Sequence, residues 1–167
     1  DEYPENAQPT DQIVYVDIDV EYPCALTQDK TLSCWNPEYI EPLEDLPSTQ
    51  VRQYSMSRSG VGCALDMDGT LTCFGYNEYL TDNAPVGQFA AVELGYVHGC
   101  VLGFDHQVQC WGENGYGQTD VPEGAYQKIQ LGSYSTCALD TEGKIHCWGR
   151  NEENELEHPD GTYVDII

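Results

Sequence analysis

Eight cysteines are the residues of this chain with the most evident chemistry. They fall into the pairs Cys24/Cys34, Cys63/Cys73, Cys100/Cys110 and Cys137/Cys147, each with the spacing C-x9-C, and the first members follow at intervals of 39, 37 and 37 residues. Zinc sites favour much closer cysteine spacings, whereas four matched pairs suit disulfides formed in an oxidising compartment. Other reactive types are scattered. His98, His106, His146 and His158 share no spacing with a carboxylate pair, and no nucleophile motif stands near them. Asp66-Met67-Asp68-Gly69 superficially resembles a calcium loop but lacks the later acidic ligand, and we read it as a hairpin turn. No cofactor or metal site is expected, and no enzyme.

The spacing dictates the element that carries the cysteines. In the fourth unit, CALD and KIHCW flank Thr141-Glu142-Gly143, and a three-residue hairpin loop places its third residue at positive φ. Such a loop pairs Asp140 with Lys144 and hence Cys137 with Cys147. Opposed Cβ atoms then lie about 4.5–5.5 Å apart, within reach of a cross-strand disulfide. Met67-Asp68-Gly69 repeats the loop, whereas Lys30 and His106 stand where glycine is expected. Both hairpin faces are largely apolar, as expected of strands buried between neighbouring sheets.

A fixed period near 37 residues marks a repeat architecture. Frequent glycine and proline, with no sustained 3.6-residue period, make it all-β. We divide the chain into an acidic leader (1–12), repeats at about 13–50, 51–87, 88–124 and 125–161, and a terminal strand at 162–167. Ile13 to Val20 reads as a first strand, and the connection after Trp35 as an acidic, proline-rich surface loop. The longer opening of the second unit, VRQYSMSRSG, predicts a bulge. Tyr-Val-Asp-Ile occurs both at Tyr15–Ile18 and at Tyr163–Ile166, a duplication that suits ring closure or pairing with a neighbour.

Six basic residues against twenty-nine acidic ones give a net charge of −23. That field repels nucleic acid and anionic membrane surfaces and favours a basic partner. Tyrosine is the better lead to a contact surface, because its rigid amphipathic ring makes contacts at low entropic cost. Tyr76, Tyr79, Tyr96, Tyr116 and Tyr134 all fall in loops. Tyr79 and Tyr116 both stand six residues past a second cysteine, which makes them equivalent by count. The aromatics that follow the second cysteines (Trp35, Phe74, Trp111, Trp148) are expected to pack between repeats rather than to stack on a ligand.

Trp111-Gly-x-Asn114-x-x-Gly117-Gln118 resembles the blade signature of the regulator of chromosome condensation propellers. The short period and paired cysteines are more similar to the secreted subgroup, which includes relatives of the β-lactamase inhibitory propeller protein and the crinkly-type repeats of plant receptors. This resemblance implies a β-propeller of four small blades, each stapled by its own disulfide, with end loops as contact surfaces and no catalysis. The reading is a secreted, periplasmic or cell-surface protein-interaction module. Its alternatives are a structural subunit that pairs with other copies of itself, and a glycan-binding lectin.

Overall fold

A computed structural model describes residues 13–18, 23–34, 46–75 and 77–167, with the backbone alone at 13–18 and at 78–79. The expected leader, Trp35 with the proline-rich connection after it, and Tyr76 lie outside the described residues. Among the described residues, four antiparallel three-stranded sheets follow one another. The first contains β1 (Ile13–Ile18), β2 (Pro23–Thr27) and β3 (Leu32–Cys34); the second contains β4 (Val51–Ser57), β5 (Val61–Asp66) and β6 (Leu71–Gly75). The third is β7 (Ala91–Leu94), β8 (His98–Leu102) and β9 (Val108–Gly112), and the fourth is β10 (Tyr126–Leu131), β11 (Ser135–Asp140) and β12 (Ile145–Gly149). One helical turn, α1 (Glu78–Thr81), interrupts this all-β pattern after β6.

In every blade the paired cysteines stand directly opposite, and all four bonds are intra-repeat, with Cα atoms 4.0–4.1 Å apart. The turns form as their composition dictates. Asp140 N–H donates to Lys144 O and Gly143 N–H to Asp140 O. Asp140 Oδ1 also accepts the amides of Glu142 and Lys144 (2.9 and 2.8 Å), and Asp66 does the same for Asp68 and Thr70. Asp66 therefore serves the hairpin turn, as the reading of that loop required. Lys30 and His106 adopt φ of 69° and 66°, matching Gly69 (92°) and Gly143 (85°). The turn geometry has overridden their side-chain preference.

That positive φ aims a carbonyl outward, and the next blade uses it. Lys30 O accepts the N–H of Val51, Gly69 O that of Phe89, His106 O that of Tyr126, and Gly143 O that of Tyr163, at 2.7–2.9 Å. Each bond sets the start of the following blade against the turn of its predecessor. Apolar contact completes the joint. Leu26, Leu32, Tyr54 and Phe74 unite the first two sheets. Leu65, Leu80, Val92 and Trp111 unite the second and third, and Leu102, Ile129, Ala138 and Trp148 the third and fourth.

Two expectations need correction. The bulge in the second unit is present between Val51 and Gln53, but the same shift occurs at Ile13/Tyr15 and Tyr126/Lys128. It recurs at the entry of three blades and so is not a product of the extra length of one unit. Second, residues 162–167 form no strand. They occupy the position of a first strand, with Tyr163 clipped to Gly143, but nothing pairs with them along the other edge among the described residues.

His98 is fully buried, and its Nε2 lies 2.9 Å from Thr136 Oγ1. Thr136 donates its own proton to Gln118 O at 3.1 Å, so His98 is the Nε2–H tautomer and Nδ1 is left without a partner. A proton on Nδ1 would place an unpaired charge in the core, and burial pushes the imidazole down to about 4.

Two predictions follow from these contacts. Chain-entropy estimates give about 2–3 kcal/mol for each hairpin-sized disulfide, which makes four of them comparable to the stability of a typical domain. Thermal melting in excess reductant should lose its cooperative transition; an unchanged melting curve would refute this. For His98, the unfolded chain takes up a proton below pH 6.5 while the native chain resists until about pH 4. The stability that a neutral His98 represents is thus complete above pH 6.5 and lost as pH falls through this window. Between pH 7 and pH 5, urea unfolding should show wild type losing about 2 kcal/mol more than His98→Gln; parallel profiles would contradict the assignment.

Candidate interaction surface

Antiparallel topology gives the arc two ends. One carries the disulfide-hairpin turns, with Asp29, Asp68, Asp105 and Glu142. The other carries the β7–β8 and β10–β11 turns and the loops that leave β9 and β12. Three of the five tyrosines singled out above meet at this second end. Tyr96 sits in the β7–β8 turn, Tyr134 in the β10–β11 turn and Tyr116 in the loop after β9. The Tyr134 ring centroid is 5.9 Å from that of Tyr96 and 5.6 Å from that of Tyr116, both edge-on. Edge-to-face pairs at such distances are attractive through the ring quadrupoles. Tyr134 is half-buried between the other two, which are 39% and 47% exposed.

Backbone bonds fix this row. Tyr96 N–H donates to Ser133 O at 3.2 Å, and Ser57 Oγ donates to Tyr96 O at 3.0 Å, which links the turns of three successive blades. Arg150 N–H donates to Tyr134 O, and its guanidinium lies 5.2 Å from the Tyr134 ring centroid. The same guanidinium donates from Nε to Glu155 at 2.6 Å. Glu155 is held below the usual carboxylate range mainly by the amide of Glu153, with Arg150 adding to the effect. Arg150 is thus neutralised locally, while Glu113, Glu152 and Glu153 on the neighbouring loops are exposed. The surface offers a ridge of aromatic rings, with exposed carboxylates on the loops of the same end.

The blade signature explains how the loops are held. Asn114 Oδ1 accepts Thr119 N–H, Gln118 Oε1 accepts Tyr116 N–H, and Gly117 takes φ of 76°. In the fourth unit Asn151, Asn154 (φ 64°) and Glu155 play the same parts. Gln118 also anchors the next blade, since its carbonyl accepts the Trp148 indole N–H at 2.9 Å. Trp111 donates in the same way to Leu80 O at 2.9 Å. Both indoles are buried between blades, so the described tryptophans pack rather than present a stacking row.

These bonds correct one equivalence. Leu80 and Gln118 receive matching indoles, so Tyr79 corresponds to Gly117 and not to Tyr116. The helical turn α1 makes the loop of the second unit one residue shorter, which counting from the cysteine missed. Tyr76 lies outside the described residues, and only the backbone of Tyr79 is described. Arg150 escaped sequence reading, because a single arginine two residues past a tryptophan carries no signal by itself.

Residues 89–118 and 126–155 match the Regulator of chromosome condensation (RCC1) repeat. No curated protein matches the chain in sequence. Among solved structures, the CRINKLY WD40 ectodomain of the Arabidopsis thaliana receptor kinase ACR4 is 25% identical with a TM-score of 0.68, covering 84% of this chain and 51% of that one. The ectodomain of the Physcomitrella patens receptor kinase CR4 is 21% identical, with a TM-score of 0.69 and coverage of 82% and 40%. Prp20p of Saccharomyces cerevisiae, described with its binding to Gsp1p and histones, is 14% identical with a TM-score of 0.74 and coverage of 88% and 45%. The chain therefore spans about half the length of the structures it matches.

The geometry separates the roles of the three rings. Tyr96→Ala and Tyr116→Ala should each change stability by less than about 0.5 kcal/mol, as exposed positions do, whereas Tyr134→Ala should cost about 1–2 kcal/mol. Denaturant midpoints of the three variants check this; equal losses at all three would remove Tyr134 from the centre of the cluster. The third and fourth blades match the RCC1 repeat, and the four blades together have the fold of β-propeller blades, each stapled by its own disulfide.

Proposed function

We propose that this chain is a non-enzymatic, extracellular protein-interaction module that uses the end of the arc bearing Tyr96, Tyr116 and Tyr134. The observation that carries the reading is convergence: three tyrosines from separate loops form one ridge, at an end of the blades whose loops also carry the exposed Glu113, Glu152 and Glu153. Aromatic anchors surrounded by polar groups are the composition of binding hot spots. With a net charge of −23, the partner this surface suits carries basic groups near an apolar contact. Four intra-repeat disulfides support an oxidising compartment, and the receptor ectodomains among the similar structures support a secreted, periplasmic or surface location. Tyr76 and Tyr79 remain candidates for the same role on the second blade.

A glycan ligand is the alternative for the same ridge, since aromatic rings and carboxylates also suit sugars. The discriminating experiment captures partners from surface proteins of the source cells on wild type and on the double variant Tyr96→Ala/Tyr116→Ala. A specific protein partner should be retained by wild type and weakened about tenfold or more by the double change, with the fold intact. Equal capture by both would remove the ridge from the binding site, and a glycan array that lit up with wild type alone would favour the lectin.

A further inference from the structure

Asn114 holds the loop that carries Tyr116 through three bonds. Its Oδ1 accepts Thr119 N–H at 3.0 Å, its Nδ2 donates to Asp120 Oδ1 at 2.7 Å, and its backbone carbonyl accepts Gly117 N–H at 3.1 Å. Of the seven asparagines in the chain, only Asn114 is followed by glycine. Asn114, Gly115, Tyr116 and Asp120 are all exposed. Asn151 fills the same place in the fourth unit, exposed and accepting Leu156 N–H at 3.2 Å, but Glu152 follows it. The two asparagines thus differ chiefly in the residue that comes next.

That difference decides a reaction. Asparagine amides are chemically labile, because the backbone nitrogen of the next residue can attack Cγ and close a cyclic imide. A side chain on that residue crowds the approach, and glycine has none. Beyond its chain neighbours, a Cβ built on Gly115 would meet only Glu113 Oε1, at 3.5 Å. Thr119 N–H polarises the Cγ carbonyl and is placed to bond the oxyanion that attack creates. We infer that Asn114 is a self-modification site, converted by Gly115 in the folded protein to aspartate and isoaspartate. The Gly115 N–Cγ bond forms and the Cγ–Nδ2 bond breaks. The Gly115 amide proton is exchanged through solvent for the one that Nδ2 takes as it leaves as ammonia. Water then opens the imide, at Cγ to give aspartate or at the Asn114 backbone carbonyl carbon to give isoaspartate.

Either product undoes the loop. In aspartate a charged oxygen replaces the Nδ2 that donated to Asp120, so two carboxylates face each other across a hydrogen-bond distance and repel. In isoaspartate the chain runs through Cγ, and the carbonyl that received Gly117 N–H becomes a side-chain carboxylate, which dismantles the turn. Tyr116 lies two residues on, and its own amide is held only by the Gln118 side chain within this loop. Release of the loop therefore withdraws Tyr116 from the Tyr134 ring. The conversion is irreversible and acts as a slow clock on one side of the ridge. Weakened partner binding by aged protein would rest on the binding role proposed above; the reaction and the loop release do not.

Peptide mapping by mass spectrometry tests this on the full chain, aged with its disulfides intact at mildly alkaline pH and digested in acid. The peptide carrying Asn114 should gain the mass of an amide turned to an acid and split into aspartyl and isoaspartyl forms. It should do so at least about tenfold faster than the peptide carrying Asn151, and Gly115→Ala should slow it by about tenfold or more. The open surroundings of Gly115 accommodate that added methyl group. An Asn114 that stays intact, converts no faster than Asn151, or ignores Gly115→Ala would overturn the assignment. Hydrogen exchange at the Tyr116 amide reads the loop: Asn114→Asp should speed it by about tenfold or more. Adding Asp120→Asn, which sets a donor against the new carboxylate, should restore protection. Exchange unchanged by Asn114→Asp, or not rescued by the second change, would refute the loop release.

Discussion

A single backbone hydrogen bond, repeated at every joint, organises this protein. The third residue of each disulfide hairpin is forced to positive φ, which turns its carbonyl toward the blade that follows. The first residue of that blade then donates to it, from Val51, Phe89, Tyr126 and Tyr163 in turn. The bond settles where each sheet begins relative to its predecessor, and the apolar clusters between sheets depend on that offset. The disulfide serves the same end. By fixing opposed cysteines it sets the hairpin register, and a slip of one residue would carry Ala138 and Trp148 from the face packed on the third blade to the other.

The tyrosine ridge inherits this order. Tyr96 and Tyr134 come from equivalent turns on adjacent blades, so the offset between blades becomes the offset between rings. Gln118 couples the two levels. Its side chain holds the loop of Tyr116 while its carbonyl receives both Trp148 and Thr136, and Thr136 in turn supports His98. A neutral histidine at the centre of this network makes the joint between the third and fourth blades sensitive to acid.

Much of this was legible in the residue order. The C-x9-C spacing with glycine at the loop's third position specified the hairpins, the disulfides and the burial of Trp111 and Trp148. Repetition made the blades visible because each position recurs in the same environment. The misses have physical causes. The bulge expected in VRQYSMSRSG is present, but the same shift in the first and fourth blades means that the length of this opening is not its cause. The equivalence of Tyr79 and Tyr116 failed because α1 shortens one loop, and helix formation over four residues leaves no periodic trace. The terminal strand failed because a strand exists only with a partner, and residues 162–167 have the position without the pairing. Arg150 acquired its role from the Tyr134 ring beneath it, a neighbour that only the blade arrangement supplies.

The most direct test of the account is the connectivity of the sulfurs in the native protein. Non-reduced protein cleaved at its abundant acidic residues and read by mass spectrometry should yield four linked species, joining Cys24 to Cys34, Cys63 to Cys73, Cys100 to Cys110 and Cys137 to Cys147. Linkage between cysteines of different repeats would contradict the stapled blades and every contact built upon them.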